Sequence, residues 1–317
     1  NNILNIFKLK KNTNILITGS KGLLGSAIKR KLIEKNYNKI LSPSKKVLNL
    51  LDLKKSENYF KKKRPKIIFH CANAVYGISG NFINGFKVLS DNLLINTNIL
   101  LLANKYKVQK FYFISSSAVY PEKNNSSKYF EKNFLDSEPH KSEYEYGLSK
   151  RIMYYQLNSI KNKEFKFKYF IMNNLYGIND NFKIESSHVI PALIHKFYLS
   201  KKRSSLVKIL GNGNNLRCFM YSEDAAEAIY KTLKNKKKII NIGSNKEVSI
   251  FYLVKTLSDI FNYEKINFVK SKYKPIKKRR LNLTILKKTG FKEKYNLEKG
   301  LKKTVEWFIK NYKILRK

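Results

Sequence analysis

A glycine-rich turn between a short apolar run and a helical pattern constrains the fold more than any other feature of this 317-residue sequence. Residues 15–17 form the apolar run, which is typical of a buried parallel strand. Gly19, Gly22 and Gly25 follow in a G-x-x-G-x-x-G spacing, and apolar residues then recur at helical spacing. Such glycines let the backbone approach a pyrophosphate, whose charge the first N–H groups of a helix stabilise. A tight turn without a ligand has the same pattern, but the position on the first strand of a strand–helix–strand unit favours a dinucleotide site.

Strand and helix patterns then alternate over the first half of the chain. The strand-like segments are residues 39–44, 65–73, 110–117 and 167–177. The helical segments between them are residues 90–107 and 142–160. This alternation predicts the α/β class, with a Rossmann-type doubly wound parallel sheet and right-handed crossovers.

The alternation loosens after Gly177 and predicts a second, smaller unit. We predict a dinucleotide-binding domain over residues 1–177, with returns to it at about residues 216–246. Residues 178–215 and 247–317 would then form a smaller C-terminal lobe that binds the substrate.

The formal net charge of +43 is the most unusual number in the composition. Such a charge is compatible with nucleic-acid binding, but the lysines are spread over the whole chain and form no detached basic tail. We interpret it as compositional drift on solvated faces and expect no nucleic-acid partner. The absence of a run of about eighteen apolar residues predicts no membrane span.

Cysteine usage and the N-terminal sequence predict a cytoplasmic protein. Cys71 and Cys218 lie far apart without a CxxC spacing, so we expect neither a disulfide framework nor a metal site. The first residues lack the long apolar stretch and the cleavage site of a secretory signal.

The end of the second predicted strand indicates which dinucleotide binds. NAD-binding proteins often place an acid there to hold the ribose 2′-hydroxyl. This chain has Lys45 and Lys46 in "LSPSKK" instead, and cations suit a 2′-phosphate, so we predict NADP(H) rather than NAD(H). Asp52 is a further candidate at the adenine end, with helix capping as its alternative role. The residues predicted to bind this part of the cofactor are Gly19, Ser20, Lys21, Gly22, Leu23, Leu24, Gly25, Lys45 and Asp52.

A serine, a tyrosine and a lysine form the predicted catalytic group. Tyr146 and Lys150 have a Y-x-x-x-K spacing, which places both on one face of a helix. We expect the ammonium to favour the phenolate and so to lower the tyrosine pKa. Tyr146 would then protonate a carbonyl oxygen, oriented by Ser116, while a hydride arrives from a nicotinamide. An ordinary exposed tyrosine and lysine have the same spacing, but the order glycine loop, serine-ended strand and Y-x-x-x-K favours catalysis.

At this point the chain resembles the extended short-chain dehydrogenase/reductase family, through "TGSKGLLG", "SSSAVYP" and "YGLSK". Within that family, "NNLYGINDNF", "SSHVIPALIHKF" and "GNGNNLRCFMYSED" are similar to the GDP-L-fucose synthase subgroup. The similarity runs from about residue 14 to residue 300. It implies a GDP-sugar substrate, reduction at C4 and epimerisation at C3 and C5. It also implies a homodimer built from the helices that carry Asn92 and Tyr146.

The resemblance assigns further residues to the site. It implies His188 as the acid for epimerisation, beside the Ser116, Tyr146 and Lys150 group that serves reduction. The other implied cofactor contacts are Ala72, Lys150, Met172, Asn173, Asn174, Leu175 and His188. The implied substrate contacts are Lys196, Leu210, Arg217 and Asn282. From the residues alone, His188 is also compatible with a helix-end or core histidine, and Arg217 with an ion pair to Glu223 or Asp224.

Ala118 is the main departure from the subgroup pattern. The subgroup has Ser-Ser-Cys at this turn, and its cysteine removes the protons beside the 4-keto group; this chain has Ser116, Ser117 and Ala118. Because a methyl group cannot accept a proton, the epimerase step lacks its expected base. Asn282 is a second departure, since the subgroup usually has an aspartate there.

We therefore predict an NADPH-dependent reductase that acts at C4 of a GDP-4-keto-6-deoxyhexose. The alternative is a 4-epimerase of a UDP- or GDP-sugar with retained NAD, which needs only Ser116, Tyr146 and Lys150. A non-catalytic dinucleotide- or nucleic-acid-binding protein is a third hypothesis, which the intact catalytic group disfavours.

Overall fold

The computed structural model describes residues 11–74, 84–121, 128–270 and 280–315. Its strands are β1 Ile15–Thr18, β2 Ile40–Leu41, β3 Ile67–His70, β4 Lys110–Ser116, β5 Lys166–Met172, β6 Asn174–Tyr176, β7 Val207–Leu210, β8 Leu216–Tyr221, β9 Ile239–Ile242, β10 Glu247–Ser249 and β11 Ile266–Val269. Its α-helices are α1 Leu23–Glu34, α2 Leu53–Lys63, α3 Gly85–Lys105, α4 Tyr144–Ser159, α5 Val189–Arg203, α6 Ser222–Thr232, α7 Ile250–Phe261, α8 Thr284–Lys287 and α9 Leu297–Asn311.

A six-stranded parallel sheet is the centre of the molecule, in the order β2-β1-β3-β4-β5-β9. Every residue of β1 and β3 is buried, as expected for strands that helices cover on both faces. Helix α1 packs on α6, and α3 packs on α4. The predicted doubly wound α/β fold is confirmed.

The strand order reverses between β1 and β3, because the chain passes from β2 across β1 to reach β3. In open parallel sheets a crevice forms at such a reversal, outside the carboxyl ends of the strands. The glycine-rich turn follows β1 directly, so the fold places it at this crevice.

A second core lies between helices α5, α7 and α9 and the two-stranded sheet β7–β11. Its fully buried residues include Ile194, Phe197, Val207, Leu253, Leu257, Leu301 and Phe308. Amphipathic helices supply most of these residues from one face each, which is the pattern expected for helices that cover a small sheet.

Some boundaries differ from the sequence-based expectation. The second strand pairs only over Ile40–Leu41 instead of residues 39–44, and α3 begins at Gly85 instead of residue 90. Helix α2 had no predicted counterpart: its sequence "LKKSENYFKKK" buries only Ser56 and Phe60, so it has almost no apolar periodicity to detect. Leu281, Leu283 and Leu286 belong to the core of the large sheet, although we had assigned residues 247–317 to the smaller lobe.

No helix in the described ranges is long and apolar enough to cross a membrane.

Candidate active site

A cavity of about 2580 Å³ extends from the crevice of the large sheet to the second core. Thr18, Ser116 and Met172, the last residues of β1, β4 and β5, line it on one side. His188 and Arg217 line it on the other side, from the start of α5 and from β8. Pockets for one drug-sized ligand usually measure about 300–1,000 Å³, so this volume accommodates a dinucleotide together with a second large ligand.

Most of the residues selected from the sequence line this one cavity. They are Gly19, Ser20, Lys21, Gly22, Leu23, Leu24, Gly25, Lys45, Ala72, Ser116, Tyr146, Met172, Asn173, Asn174, Leu175, His188, Lys196, Leu210 and Arg217. Lys150 is completely buried behind the wall that Tyr146 forms.

Two selected residues lie outside the cavity wall and bond backbone groups near the starts of helices. Asp52 is the N-cap of α2, where its Oδ1 accepts a hydrogen bond of 3.0 Å from the backbone N–H of Lys55. Asn282 precedes Leu283, the N-cap of α8, and its Oδ1 accepts a bond of 3.0 Å from the backbone N–H of Thr284. These local bonds account for both side chains without a ligand.

The glycine turn leaves an anion site at the start of α1. Gly19 has a φ of +64°, and a Cβ there would lie 2.9 Å from the backbone nitrogen of Ala72. A Cβ at Gly25 would lie only 2.3 Å from the Gly19 oxygen, so both positions require glycine. The N-cap Gly22 has no side chain to bond the first N–H groups of α1, and the first turn carries no acid. These N–H groups are therefore available to bind an anion, and the pyrophosphate of a dinucleotide is such a group.

The turn after β2 forms the wall next to the glycine loop. Ser20 fixes this turn through a bond of 3.3 Å from its hydroxyl to the Pro43 oxygen. Lys45 and Lys46 line the cavity from it, and the turn contains no carboxylate. The charge at this position suits a 2′-phosphate better than a 2′-hydroxyl.

Ser116 ends β4 with its hydroxyl in the cavity. The Ser116 Oγ accepts a hydrogen bond of 3.2 Å from the backbone N–H of Ala118, which begins a single 3₁₀ turn. Because a lone pair of the Oγ takes this bond, the hydroxyl hydrogen can be donated to an oxygen of a ligand. Ala118 itself is completely buried and does not line the cavity.

Tyr146 and Lys150 lie one turn apart on α4. The Lys150 Nζ lies 5.3 Å from the centre of the Tyr146 ring and 4.7 Å from the centre of the Phe113 ring. It donates hydrogen bonds to the Asn73 Oδ1 and, at 3.3 Å, to the Ile114 oxygen. Burial lowers the pKa of Lys150 to about 7.

The expected effect of the lysine on the tyrosine is wrong for this structure. Burial raises the pKa of Tyr146, and the Glu143 carboxylate raises it further. The ammonium lies over the face of the ring and its bonds go to oxygens of other residues, so it does not offset the burial of the phenol. Tyr146 therefore holds its proton firmly.

Sequence reasoning missed Asn73 and Glu143. Asn73 ends the segment that follows β3 and receives the Lys150 ammonium. Its position after a buried parallel strand was a usable signal, because polar residues at strand ends meet at one edge of the sheet. Glu143 lies one turn before Tyr146 and lines the cavity, but a glutamate among several polar residues in "HKSEYEY" carries no distinguishing pattern.

The wall of the cavity opposite the glycine turn carries an imidazole and two cations. His188 is the N-cap residue of α5, and its exposed side chain lines the cavity. Desolvation within the cavity lowers the pKa of His188, and the Glu143 charge partly opposes the effect. Lys196 donates a bond of 3.1 Å to the Lys208 oxygen, and Arg217 donates one of 2.8 Å to the Leu216 oxygen.

Glu223 and Asp224, the two candidate ion-pair partners of Arg217, bond other residues. Glu223 accepts hydrogen bonds from Arg30, with a distance of 2.9 Å to the Arg30 Nε. Asp224 accepts backbone N–H bonds of 3.0 and 2.9 Å from Lys294 and Tyr295. Arg217 therefore remains a candidate for a phosphate contact.

The fold, the glycine turn and the Ser–Tyr–Lys group define a dinucleotide-binding enzyme class, and comparison with known proteins agrees. The chain belongs to the NAD dependent epimerase/dehydratase family, whose model matches residues 15–243. This result confirms the resemblance to the extended short-chain dehydrogenases/reductases.

Individual relatives narrow the comparison. The GDP-L-colitose synthase of Yersinia pseudotuberculosis is 35% identical over 304 residues, which cover 93% of this chain and 97% of that protein. The GDP-L-fucose synthase of Dictyostelium discoideum is 30% identical over 313 residues, covering 96% of this chain and 97% of that protein. A crystal structure of a GDP-L-fucose synthetase from Naegleria fowleri bound to NADP has a TM-score of 0.89 and 29% identity, and covers 98% of this chain and 96% of that one.

Proposed function

We propose that this protein reduces the 4-keto group of a GDP-4-keto-6-deoxyhexose with NADPH. The observation that carries the proposal is the position of Ser116 and Tyr146 in one cavity between the glycine turn and the His188–Arg217 wall. Relatives named GDP-L-colitose synthase and GDP-L-fucose synthase, matched over nearly their whole length, support the substrate class.

The cofactor would lie along the glycine turn. The free N–H groups at the start of α1 would hold its pyrophosphate, and Lys45 and Lys46 would bind its 2′-phosphate. Met172, Asn173, Asn174 and Leu175 would border the nicotinamide, as the resemblance implies. The Nδ2 of Asn173 is buried without a protein partner among the described residues, which fits a bond to a ligand here.

NADPH, when bound, supplies the hydride that reaches C4 of the sugar. Ser116 would donate its hydroxyl hydrogen to the 4-keto oxygen and so polarise the carbonyl. Tyr146 would then donate its phenolic proton to the same oxygen, and its raised pKa keeps this proton in place before the hydride arrives. Lys150 is predicted from the resemblance to hold the ribose, but it is buried behind Tyr146 in this structure, so we assign it the positioning of Tyr146 alone.

The sugar diphosphate would bind to the opposite wall. Lys196 and Arg217 are the cations on this wall, and Leu210 is exposed there. We assign the residues 178–215 and 247–317 to this lobe, apart from the segment around Leu281–Leu286 that joins the larger core. Asn282 is left out because its side chain bonds the backbone N–H of Thr284 and does not line the cavity.

We further infer that the protein is a homodimer in the cytoplasm. Helices α3 and α4 pack on each other and expose Leu94, Leu101 and Tyr155, which are 50%, 53% and 59% accessible. Apolar residues gathered on one helical face favour pairing with a second copy. The free thiols of Cys71 and Cys218 fit a reducing compartment.

Consumption of NADPH tests the proposed function. Incubation with GDP-4-keto-6-deoxy-D-mannose should lower the NADPH absorbance in step with the appearance of a product two hydrogens heavier by mass spectrometry. NADH should support a slower reaction. Oxidised NAD retained through purification, with no NADPH consumption, would contradict the proposal and indicate a 4-epimerase.

A further inference from the structure

Glu143 is a carboxylate of the cavity to which the proposed reduction gives no role. It is the residue before α4, and its side chain makes no cap bond with that helix. It precedes Tyr146 by three residues and is the N-cap residue of the helix that carries Tyr146. Both residues line the same cavity.

The first turn of α4 packs against the turn that contains Ala118. A Cβ at Gly147 would lie 2.4 Å from the Ala118 oxygen, so helix and turn are in direct contact there. The helix that carries Glu143 at its N-terminus therefore contacts the turn in which the resemblance implied a proton-accepting cysteine and this chain has Ala118.

Glu143 also lies within electrostatic reach of an acid from another element. Its charge raises the pKa of Tyr146 on its own helix and that of His188 at the start of α5. The cavity therefore places a carboxylate and an imidazole, from two separate elements, near the proton donor of the reduction.

Asp91, Asp180, Glu185 and Glu247 are the other carboxylates of the cavity wall. None of them is among the charges that shift the pKa of Tyr146 or of His188, whereas Glu143 acts on both. Asp180 follows Asn179, whose side chain bonds Ser26 of α1 at 3.1 Å, so it lies beside the cofactor half of the cavity.

His140 and Cys71 also line the cavity and are poor bases. The His140 Nδ1 accepts a bond of 3.1 Å from the backbone N–H of Ser142, so the proton of the neutral ring is on Nε2, which cannot then accept another. Burial raises the pKa of Cys71 to about 12, which keeps the thiol protonated.

We propose that Glu143 is the base that removes the hydrogens on the carbons beside the 4-keto group, in place of the subgroup's cysteine, and that it works with His188, the acid that the resemblance implies. The proposal rests on the proposed function, since it needs the same keto sugar. The C–H bond breaks, its proton moves to the Glu143 carboxylate, and its electron pair moves to O4, where the Ser116 and Tyr146 hydroxyls stabilise the enolate. His188 returns a proton to the carbon from its protonated form, which the Glu143 charge stabilises against the effect of desolvation. No oxidant or reductant is consumed. A carboxylate in a protein cavity is an established base for removing a proton beside a carbonyl.

Deuterium exchange in heavy water tests the pair. The protein is incubated with GDP-4-keto-6-deoxy-D-mannose in D₂O without NADPH, and deuterium at C3 and C5 is measured by NMR. Wild type should incorporate deuterium, whereas Glu143→Gln should lose exchange by about 10²-fold or more. Glu143→Asp, which keeps the carboxylate, should retain measurable exchange.

Glu145→Gln is the matched control. Glu145 lies on the same turn but not in the cavity wall, and its carboxylate is next to Gly85 at the start of α3. This variant should exchange at the wild-type rate. Thermal unfolding and NADPH titration of all variants show whether each one is folded.

Three results would overturn the inference, and NADPH consumption measured in parallel separates them. Exchange by Glu143→Gln at the wild-type rate would exclude this residue as the base. Wild-type protein that consumes NADPH but incorporates no deuterium would contradict the roles of Glu143 and His188 without contradicting the proposed reduction. Wild-type protein that does neither would overturn the proposed function as well.

Discussion

Lys150, the proposed catalytic lysine, is a buried amine whose hydrogen bonds go to neutral oxygens. Lys150 is completely buried, and its Nζ bonds an amide oxygen of Asn73 and the backbone oxygen of Ile114. Burying an ammonium among neutral groups disfavours its charged form, which is why the pKa of Lys150 falls to about 7 from 10.5. Burial of Lys150 therefore lowers the free energy of unfolding at any pH at which the lysine is charged.

The lowered pKa of Lys150 predicts how the free energy of unfolding depends on pH. Between pH 7 and pH 10.5 the unfolded chain keeps the Lys150 proton while the folded protein releases it. The free energy of unfolding should therefore rise with pH in this window, by up to about 1.4 kcal/mol per pH unit, and the full penalty should be present below pH 7. Denaturant unfolding at a series of pH values, compared with Lys150→Met, measures it.

The stability difference between wild type and Lys150→Met should change with pH in one direction only. The stability of wild type relative to Lys150→Met should increase from pH 7 toward pH 10, and Lys163→Met, which alters an exposed lysine, should follow wild type. A difference that stays constant over this range would show that Lys150 remains charged in the folded protein.

Cofactor preference is also decided by single residues. Replacing Lys45 by glutamate should weaken NADPH binding by about 10- to 100-fold, because a charge-assisted bond of about 1.5–3 kcal/mol is lost and a repulsion is added. NADH binding should change much less. Titration of both cofactors gives the ratio, and Lys39→Glu, outside the cavity, is the control. An equal loss for both cofactors would contradict the assignment of Lys45 to the 2′-phosphate.

At the scale of elements, the sequence predicted best where local chemistry and the fold require the same residues. The turn from β1 to α1 was recognisable because glycine is needed for its tight contacts, and Gly19 and Gly25 make them. Strand β4 and helix α4 were recognisable from their apolar spacing.

Elements that depend on tertiary contacts were not predictable. Phe60 is the one fully buried apolar residue of helix α2, with Tyr59 partly buried against the core, and the helix depends on packing beside α3. The same limit applies in part to the site. The spacing gave Tyr146 and Lys150, whereas the bond from Lys150 to Asn73 and the action of the Glu143 charge on Tyr146 depend on how the elements fold together.

The glycine turn permits a direct stability test. Alanine at Gly25 would place its Cβ 2.3 Å from the Gly19 oxygen, so the turn must shift, at a cost of about 1–3 kcal/mol. Alanine at Gly22 meets the same oxygen at 3.4 Å and should cost much less. Denaturant unfolding of both variants makes the comparison. Equal costs would mean that the turn is looser than described.

At the scale of the whole molecule, the net charge of +43 and the exposed helical face affect assembly. A large like charge opposes association, so a dimer must gain enough from apolar burial to overcome it. The face formed by Leu94, Leu101 and Tyr155 is the described surface of α3 and α4 that offers such burial.

Charging that face should produce a monomer. Leu101→Lys combined with Tyr155→Lys should lower the molar mass measured by light scattering after size exclusion to that of a single chain of 37.2 kDa. Ile309→Lys, an exposed position on α9, should leave the mass unchanged. A wild-type protein that is already monomeric would contradict the inferred homodimer.

Transfer of deuterium from NADPH deuterated at C4 of its nicotinamide tests most directly whether Tyr146 and the cavity carry out the reduction. With GDP-4-keto-6-deoxy-D-mannose, wild type should place one deuterium on C4 of the product sugar. Tyr146→Phe should slow this transfer by about 10²-fold or more while binding NADPH as wild type does. A product without deuterium at C4, or an undiminished transfer by Tyr146→Phe, would contradict the central claim.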